Sequence, residues 1–244
     1  MSRSPAPRRG TPRVRHTLSL VAASALVGAA LFTSLTGCSP SSGGSTTGSG
    51  ASVDATPIAD LAAVQVREYK GKKLGSIEDF RENSIKGPQV VDLDTYELKI
   101  TGEVETETTL SYADVVALPN AQKAVTLNCV EGWSVDILWR GVRLADVINK
   151  AGIGPEANTV IFHCYDGYTT SLPLSFVLDR NLLLAYQMNG VNLPAERGFP
   201  FQVVAESKLG YKWAKWVTEI ELSSDDTYKG YWEQRGYDNT ADFE

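Results

Sequence analysis

Residues 61–244 of this chain predict an α+β fold of mixed sheets with short helices, and three observations carry that expectation. Strand-like segments recur, at Tyr96 to Ile100, Thr159 to His163, Tyr168 to Leu172, Leu182 to Met188, Phe201 to Ala205 and Trp216 to Leu222, with turn signals such as Gly102, Asp166-Gly167 and Asn189-Gly190 at their ends. Helical spacing occurs only in short stretches. The two kinds of element are interspersed without the regular strand-helix-strand rhythm of a doubly wound parallel sheet.

The chain begins with a different kind of sequence. Arg3, Arg8, Arg9, Arg13 and Arg15 precede an apolar stretch from about Leu18 to Leu35, which ends in Leu35-Thr36-Gly37-Cys38. A basic region, an apolar run and a cysteine directly after a small residue form the pattern of a lipoprotein signal, so residues 1–37 are expected to be removed and Cys38 acylated. The competing expectation is an uncleaved anchor helix, because the apolar stretch approaches spanning length. Residues 38–60 open on a Ser/Gly/Thr-rich stretch, too polar to bury a core of its own, and are expected to tether the domain at 61–244 to the outer face of the cell membrane. The lipid is the only membrane attachment expected.

Charge narrows the partners. The whole chain has a formal charge of −6; losing the five arginines of residues 1–37 takes it to −11. Such a surface repels nucleic acid backbones, so nucleic acid is excluded as a partner. About 180 residues of folded chain are enough for one sizeable core.

Taken in order, Tyr96, Leu98 and Ile100 alternate with polar neighbours as in a half-buried strand. Ser111 is a helix N-cap residue and Pro119 a stop, which frames a short helix. Val125 and Leu127 continue an alternating strand that delivers Cys129 to a glycine turn. Leu144, Val147 and Ile148 have helical spacing, ended by Gly152 and Gly154. The β-branched Thr159 to His163, the turn at Asp166-Gly167 and the extended Tyr168 to Leu172 read as a hairpin. Leu182 to Met188 runs into Asn189-Gly190, a tight-turn pair, and Phe201 to Ala205 and Trp216 to Leu222 are the last strands.

Cys129, in Asn128-Cys129-Val130-Glu131-Gly132-Trp133, is the residue on which chemistry converges, since a thiol at a strand-to-loop junction can hold a metal. Cys164 is the other thiol of the folded part, and a disulfide between the two is the alternative in an extracytoplasmic compartment. The sequence has no CxxC or CxxCH and no Cys/His cluster, so structural zinc, haem c and iron–sulfur ligation have no local motif. His163, the one histidine beyond residue 37, sits in an apolar strand pattern and reads as a core residue. A nucleophilic role for Cys129 would need a base beside it.

Cys129 to Trp133, then Trp139-Arg140-Gly141-Val142, resemble the metal-ligand segment of the sulfite oxidase family of molybdopterin oxidoreductases, which includes periplasmic methionine sulfoxide reductase catalytic subunits. Asp166-Gly167-Tyr168, Asn189-Gly190, Leu193-Pro194, Gly198-Phe199-Pro200, Gly210-Tyr211-Lys212, Lys215-Trp216 and Gly230-Tyr231-Trp232-Glu233 follow in the family's order. The resemblance spans about Tyr96 to Tyr237. It implies an α+β domain around one molybdenum–molybdopterin, with tungsten as a possible substitute, and Cys129 as the thiolate ligand of the metal. Softness explains that choice of ligand.

The resemblance further implies a set of supporting residues. Lys208, Gly210, Lys212 and Lys215 are expected to bind the cofactor's phosphate, and Asn83, Asp166 and Arg197 to line the pterin. Tyr168 and Arg197 join Cys129 as candidate catalytic residues. A small-molecule substrate and a separate electron carrier, membrane-bound or soluble, complete the expected partners.

Departures from the family pattern bear on substrate. Ser134 stands where sulfite oxidases place an arginine, and Gln202 where the family usually has one; Arg197 stands where relatives tend to have histidine or asparagine. A small dianion in a dry pocket generally needs more than one guanidinium, so a sulfoxide or N-oxide fits better than sulfite. Arg8-Arg9 is followed by Gly10-Thr11-Pro12 and makes a poor twin-arginine signal, although export of a folded cofactor enzyme calls for one. The alternative reading is a cofactor-free binding lipoprotein on the same scaffold.

Overall fold

The computed structural model describes residues 56–243. Cys38, the signal expected at residues 1–37 and most of the tether at 38–60 lie outside the described residues.

The described chain opens with α1 (Ile58–Val64), whose Ile58, Leu61 and Ala62 pack on the core, Ile58 from within the range expected to be tether. A small ribbon follows, β1 (Glu68–Tyr69) and β2 (Lys72–Lys73), turning at Lys70-Gly71. Next come β3 (Glu97–Gly102), β4 (Thr108–Ser111) and α2 (Tyr112–Val116). Ser111 caps α2 as expected: its hydroxyl accepts from the Asp114 N–H while the Asp114 carboxylate accepts from the Ser111 N–H. Then follow β5 (Asn120–Asn128), β6 (Ser134–Arg143), α3 (Leu144–Ile148), β7 (Thr159–Cys164), β8 (Thr169–Pro173) and α4 (Leu174–Asp179). The last strands are β9 (Leu183–Met188), β10 (Val191–Asn192), β11 (Gln202–Val204) and β12 (Val217–Ser223). Single 3-10 turns occupy Ala195–Arg197, Gly210–Lys212 and Glu233–Arg235.

Two five-stranded sheets result. One runs β10-β9-β6-β5, with β11 also paired to β9, and is antiparallel throughout; the other runs β4-β3-β12-β7-β8, with β3 and β12 parallel. Mixed sheets with short helices are therefore what the chain forms. Alternation decides which faces meet: Ile220 and Leu222 of β12 and Val160 and Phe162 of β7 are buried, while Glu219 and Glu221 point out. His163 shares that outer face, half-buried with Nε2 2.8 Å from Glu221, and is not the core residue its apolar neighbours suggested. Among the described residues, no helix is long and apolar enough to cross a membrane.

Asn189-Gly190 forms the β9–β10 turn, with φ of 46° and 81°. The Asn189 side chain is fully buried and ties three segments together: its oxygen accepts from the Leu138 N–H, and its nitrogen donates to Gln65 and to the Gly75 carbonyl.

Candidate functional site

The β5–β6 hairpin creates the site. Its register ends at Asn128 opposite Ser134, and the turn is closed by the Cys129 N–H on the Trp133 carbonyl and the Gly132 N–H on the Cys129 carbonyl. Gly132 adopts a φ of 86°, which a residue without Cβ does freely. Cys129 is thus the first residue past the strand, held by its backbone and 7% exposed. A bridge from Asn128 to Leu209 draws the Lys208–Trp213 loop alongside and sets Gly210 against the hairpin.

Two cavities meet at Cys129. The larger has an open volume of about 720 Å³ and is lined among others by Ser84, Asp166, Tyr168, Tyr211 and Trp232. The smaller, of about 420 Å³, is lined among others by Arg81, Trp133, Glu196, Arg197 and Gln202. Asn83, Cys129, Gly210, Trp213 and Lys215 belong to both.

A strap without regular structure, Ile77 to Ile85, crosses the hairpin and supplies the site's third wall. Asn83 Nδ2 lies 3.8 Å from the Cys129 sulfur. Ser84 belongs to the wall of the larger cavity, and its N–H donates to Glu82 Oε1 at 2.8 Å. Gly210 packs directly beside the hairpin: a methyl there would stand 3.4 Å from Leu127 Cδ2 and 3.6 Å from Cys129 Cα, at ordinary contact distance.

Burial pushes the Cys129 thiol above its ordinary value, and the Glu131 and Val130 N–H groups and Arg81 work against that. The thiol is therefore protonated at neutral pH unless a cation displaces the proton, which is how a metal-binding cysteine behaves. Cys164 is also buried and unbonded, so the two thiols form no disulfide. Burial pushes Cys164 up more strongly, and Asp166 adds to the effect.

The expected residues divide in two. Asn83, Cys129, Asp166, Tyr168, Arg197, Gly210 and Lys215 all line one cavity or both. Asp166 is 3% exposed and accepts from the Tyr168 N–H within the β7–β8 turn. The Tyr168 hydroxyl donates to the Tyr211 carbonyl, and burial raises its pKa far above the usual phenol value. Its ring shapes the wall of the larger cavity. Lys208 and Lys212 line neither cavity. Lys208 pairs with Asp242 at 2.6 Å and stacks on Phe176, while Lys212 gives its three protons to the Ser171 carbonyl, Glu233 and Asn239. Both lysines brace the scaffold.

Arg197 departs from expectation in its use. Its Nε donates to the Ile77 carbonyl at 3.2 Å, its Nη2 to the Phe80 carbonyl at 3.1 Å, and the guanidinium lies 4.9 Å from the Phe80 ring. The fork that could have gripped an oxyanion carries the strap. Sequence reasoning missed Glu82, which binds Lys215 Nζ through both oxygens at 3.1 and 3.2 Å. No local signal marks that pair, since 133 residues separate its members. It also missed Trp232 and Tyr237 as wall residues, although the Gly230 to Glu233 motif holds one of them.

Comparison with known proteins gives the family. The profile of a family described as oxidoreductase molybdopterin binding domain matches residues 85–232. An uncharacterised oxidoreductase of Bacillus subtilis (strain 168) is 38% identical over 156 residues, covering 64% of this chain and 78% of that protein. A protein of Azospira oryzae, provisionally named a protein-methionine-sulfoxide reductase subunit, is 32% identical over 60% of this chain and 56% of its own length. Human mitochondrial sulfite oxidase is 30% identical over 65% of this chain and only 34% of its own. The crystal structure of the sulfane dehydrogenase SoxCD from Paracoccus pantotrophus shares the fold, with a TM-score of 0.55 at 23% identity over 57% of this chain and 41% of that one. With a profile that covers more than half of it, the chain belongs to the oxidoreductase molybdopterin binding domain family, that of the molybdopterin-dependent oxidoreductases related to sulfite oxidase.

Proposed function

We propose that this chain is an extracytoplasmic oxidoreductase, held at the cell membrane by an acylated Cys38, in which Cys129 ligates the molybdenum of a molybdopterin cofactor. The reaction is a two-electron oxygen-atom transfer on a small sulfoxide, N-oxide or oxyanion-like substrate. The observation that carries this reading is the place of Cys129: a buried, unbonded thiol at the junction of two cavities, in a chain of a molybdopterin-binding family.

The residues present fit the cofactor. Cys129 is the soft ligand that molybdenum, or tungsten in its place, requires. The Asn83 amide, which reaches the Cys129 sulfur and lines both cavities, offers hydrogen-bond donors along them. When bound, the cofactor supplies a two-electron couple that can take up or release one oxygen atom. The protein's own part is to hold Cys129 rigidly at the hairpin turn, to steady its sulfur from Asn83, and to exclude water with Trp133, Trp213 and Trp216. Electrons are exchanged with a separate carrier, membrane-bound or soluble. The names of the Azospira protein and of sulfite oxidase support a sulfur-centred substrate.

The test is elemental analysis of protein purified from its native envelope fraction, with molybdenum and tungsten quantified per chain and released pterin assayed by fluorescence. Near one metal per chain together with pterin is expected. A folded sample with neither would overturn the reading and favour the binding lipoprotein. Mass spectrometry of the amino terminus tests the lipid: a diacylated Cys38 is expected, and a chain still carrying residues 1–37 refutes it.

A further inference from the structure

We infer that Glu82 is a specificity-determining residue, which neutralises Lys215 and partly offsets Arg197 and so biases the site toward a neutral oxygen-transfer substrate, a sulfoxide or N-oxide rather than an oxyanion. The inference rests on the oxygen-transfer reading above and narrows its substrate class.

Lys215 and Arg197 are the buried cations that line the cavities beside Cys129. Both line the smaller cavity, and their side chains are 17% and 9% exposed, where a charge acts through little water. Glu82 reaches both. Its carboxylate takes Lys215 Nζ between its two oxygens at 3.1 and 3.2 Å and stands 4.0 Å from Arg197 Nη1. Burial alone would raise the Glu82 pKa, yet Lys215 and the Ser84 contacts outweigh it and hold the carboxyl below its ordinary value. It is therefore an anion at neutral pH.

The donors are committed as well as the charge. Lys215 also donates to the Glu196 carbonyl, and two of the guanidinium nitrogens of Arg197 are bonded to the strap's own carbonyls. The carboxylates Glu131, Asp166 and Glu196 match the cations Arg81, Arg197 and Lys215 in number around the two cavities, and Glu82, behind Lys215, tips the balance to the negative side. Ser134 and Gln202, where an arginine would add a guanidinium, leave the balance unchanged. A dianion entering this site meets a Lys215 already paired, with only Arg197 Nη1 and the exposed Arg81 left to grip it, whereas a neutral S=O or N–O group needs only a hydrogen-bond donor. Discrimination by charge of this kind works through repulsion of the wrong ligand as much as attraction of the right one.

Glu82→Gln keeps the side chain's shape and removes its charge, and Glu82 is exposed enough to tolerate the change. Inorganic sulfate is the probe, titrated by calorimetry into the full chain from its native envelope, at ionic strength held constant with chloride. The same samples are assayed for reduction of dimethyl sulfoxide to dimethyl sulfide and water, with a reduced viologen dye supplying the two electrons, with and without sulfate. Expected is sulfate binding at least about tenfold tighter in Glu82→Gln than in wild type, with competitive inhibition to match, both reversed by adding Lys215→Met. Equal sulfate affinity in wild type and Glu82→Gln, whether both bind or neither does, would overturn the inference. Molybdenum and pterin are measured on each sample. Their absence alongside the expected sulfate pattern would refute the oxidoreductase reading and leave Glu82 as the charge determinant of the cavity.

Discussion

The Asn83 side-chain nitrogen lies 3.8 Å from the sulfur of Cys129, across 46 residues of sequence, as a donor aimed at the thiol. A hydrogen bond to a metal-ligating sulfur fixes its lone pairs and tunes its basicity. Asn83→Ala should therefore lower metal retention about tenfold while the cavity persists. Cys129→Ser should lose the metal outright, with a thermal midpoint within a few degrees of wild type, because the change is nearly isosteric and the residue lies past the end of β5. Cys164→Ser should keep both metal and turnover. Metal analysis beside a thermal melt separates the three variants, and full metal content in Cys129→Ser would refute the ligand assignment.

Arg197 carries the strap, and its removal should be read there first. Arg197→Met leaves the carbonyls of Ile77 and Phe80 without their donors, a loss of about 2–4 kcal/mol for two buried acceptors. Arg197→Lys keeps the charge but not the fork and should fall between the two. Urea unfolding gives the magnitude. Hydrogen exchange gives the location: amides of residues 77–84 should exchange faster in Arg197→Met while those of β12 do not. Unchanged exchange across the strap would show that Arg197 has another task.

Much of the fold was legible because it rests on local pattern. Ser111 as an N-cap, Asn189-Gly190 as a tight turn and the burial alternation of β3 and β12 each follow from neighbours a few residues apart. The ten-residue β6 was not recognised as a strand, since its Ile137-Leu138-Trp139 run is buried on both faces and hides the period of two. Of the site, Cys129 and the residues on its hairpin and loop could be placed by motif. The uses of Arg197, Glu82 and Lys212 could not, because each is decided by a partner elsewhere in the chain: the Phe80 carbonyl, Lys215 and Glu233. Long-range ion pairs leave no periodicity to read.

Acid should weaken the fold partly through Asp136. Its carboxylate accepts from Lys72 at 2.8 Å and from the Thr126 hydroxyl, and these bonds, Lys72 first, hold it below its ordinary value of 3.8. A carboxyl depressed in the folded state contributes stability that is complete above about pH 4 and is lost as pH falls through the folded pKa. Asp136 is 38% exposed, so the contribution is under about 1 kcal/mol and shrinks in high salt. Asp136→Asn should flatten the fall in stability below pH 4, measured as urea midpoints from pH 7 to 3. An unchanged acid limb would place the linkage at other carboxylates.

Lys212 and Glu233 form the one ion pair among the described residues in which both side chains are fully buried, at 2.5 Å, and neither partner touches the cavities. The ammonium is satisfied three times over, by Glu233, the Ser171 carbonyl and Asn239, while Thr170 supports the carboxylate and its second oxygen is unpartnered. Breaking such a pair on one side strands a charge without solvent, so Lys212→Met should destabilise by about 3–5 kcal/mol. Removing both charges, as Lys212→Met/Glu233→Met, should destabilise less than the sum of the single changes, because no charge is left uncompensated. The pair fixes the Gly230 to Asn239 segment to β8, and through it Trp232 and Tyr237 at the larger cavity, so the damage should appear as lost stability with metal content per folded chain retained. A double-mutant cycle in urea with metal analysis tests both halves. Additive energies would refute the pairing, and metal loss in a folded Lys212→Met protein would return the lysine to the cofactor's binding set.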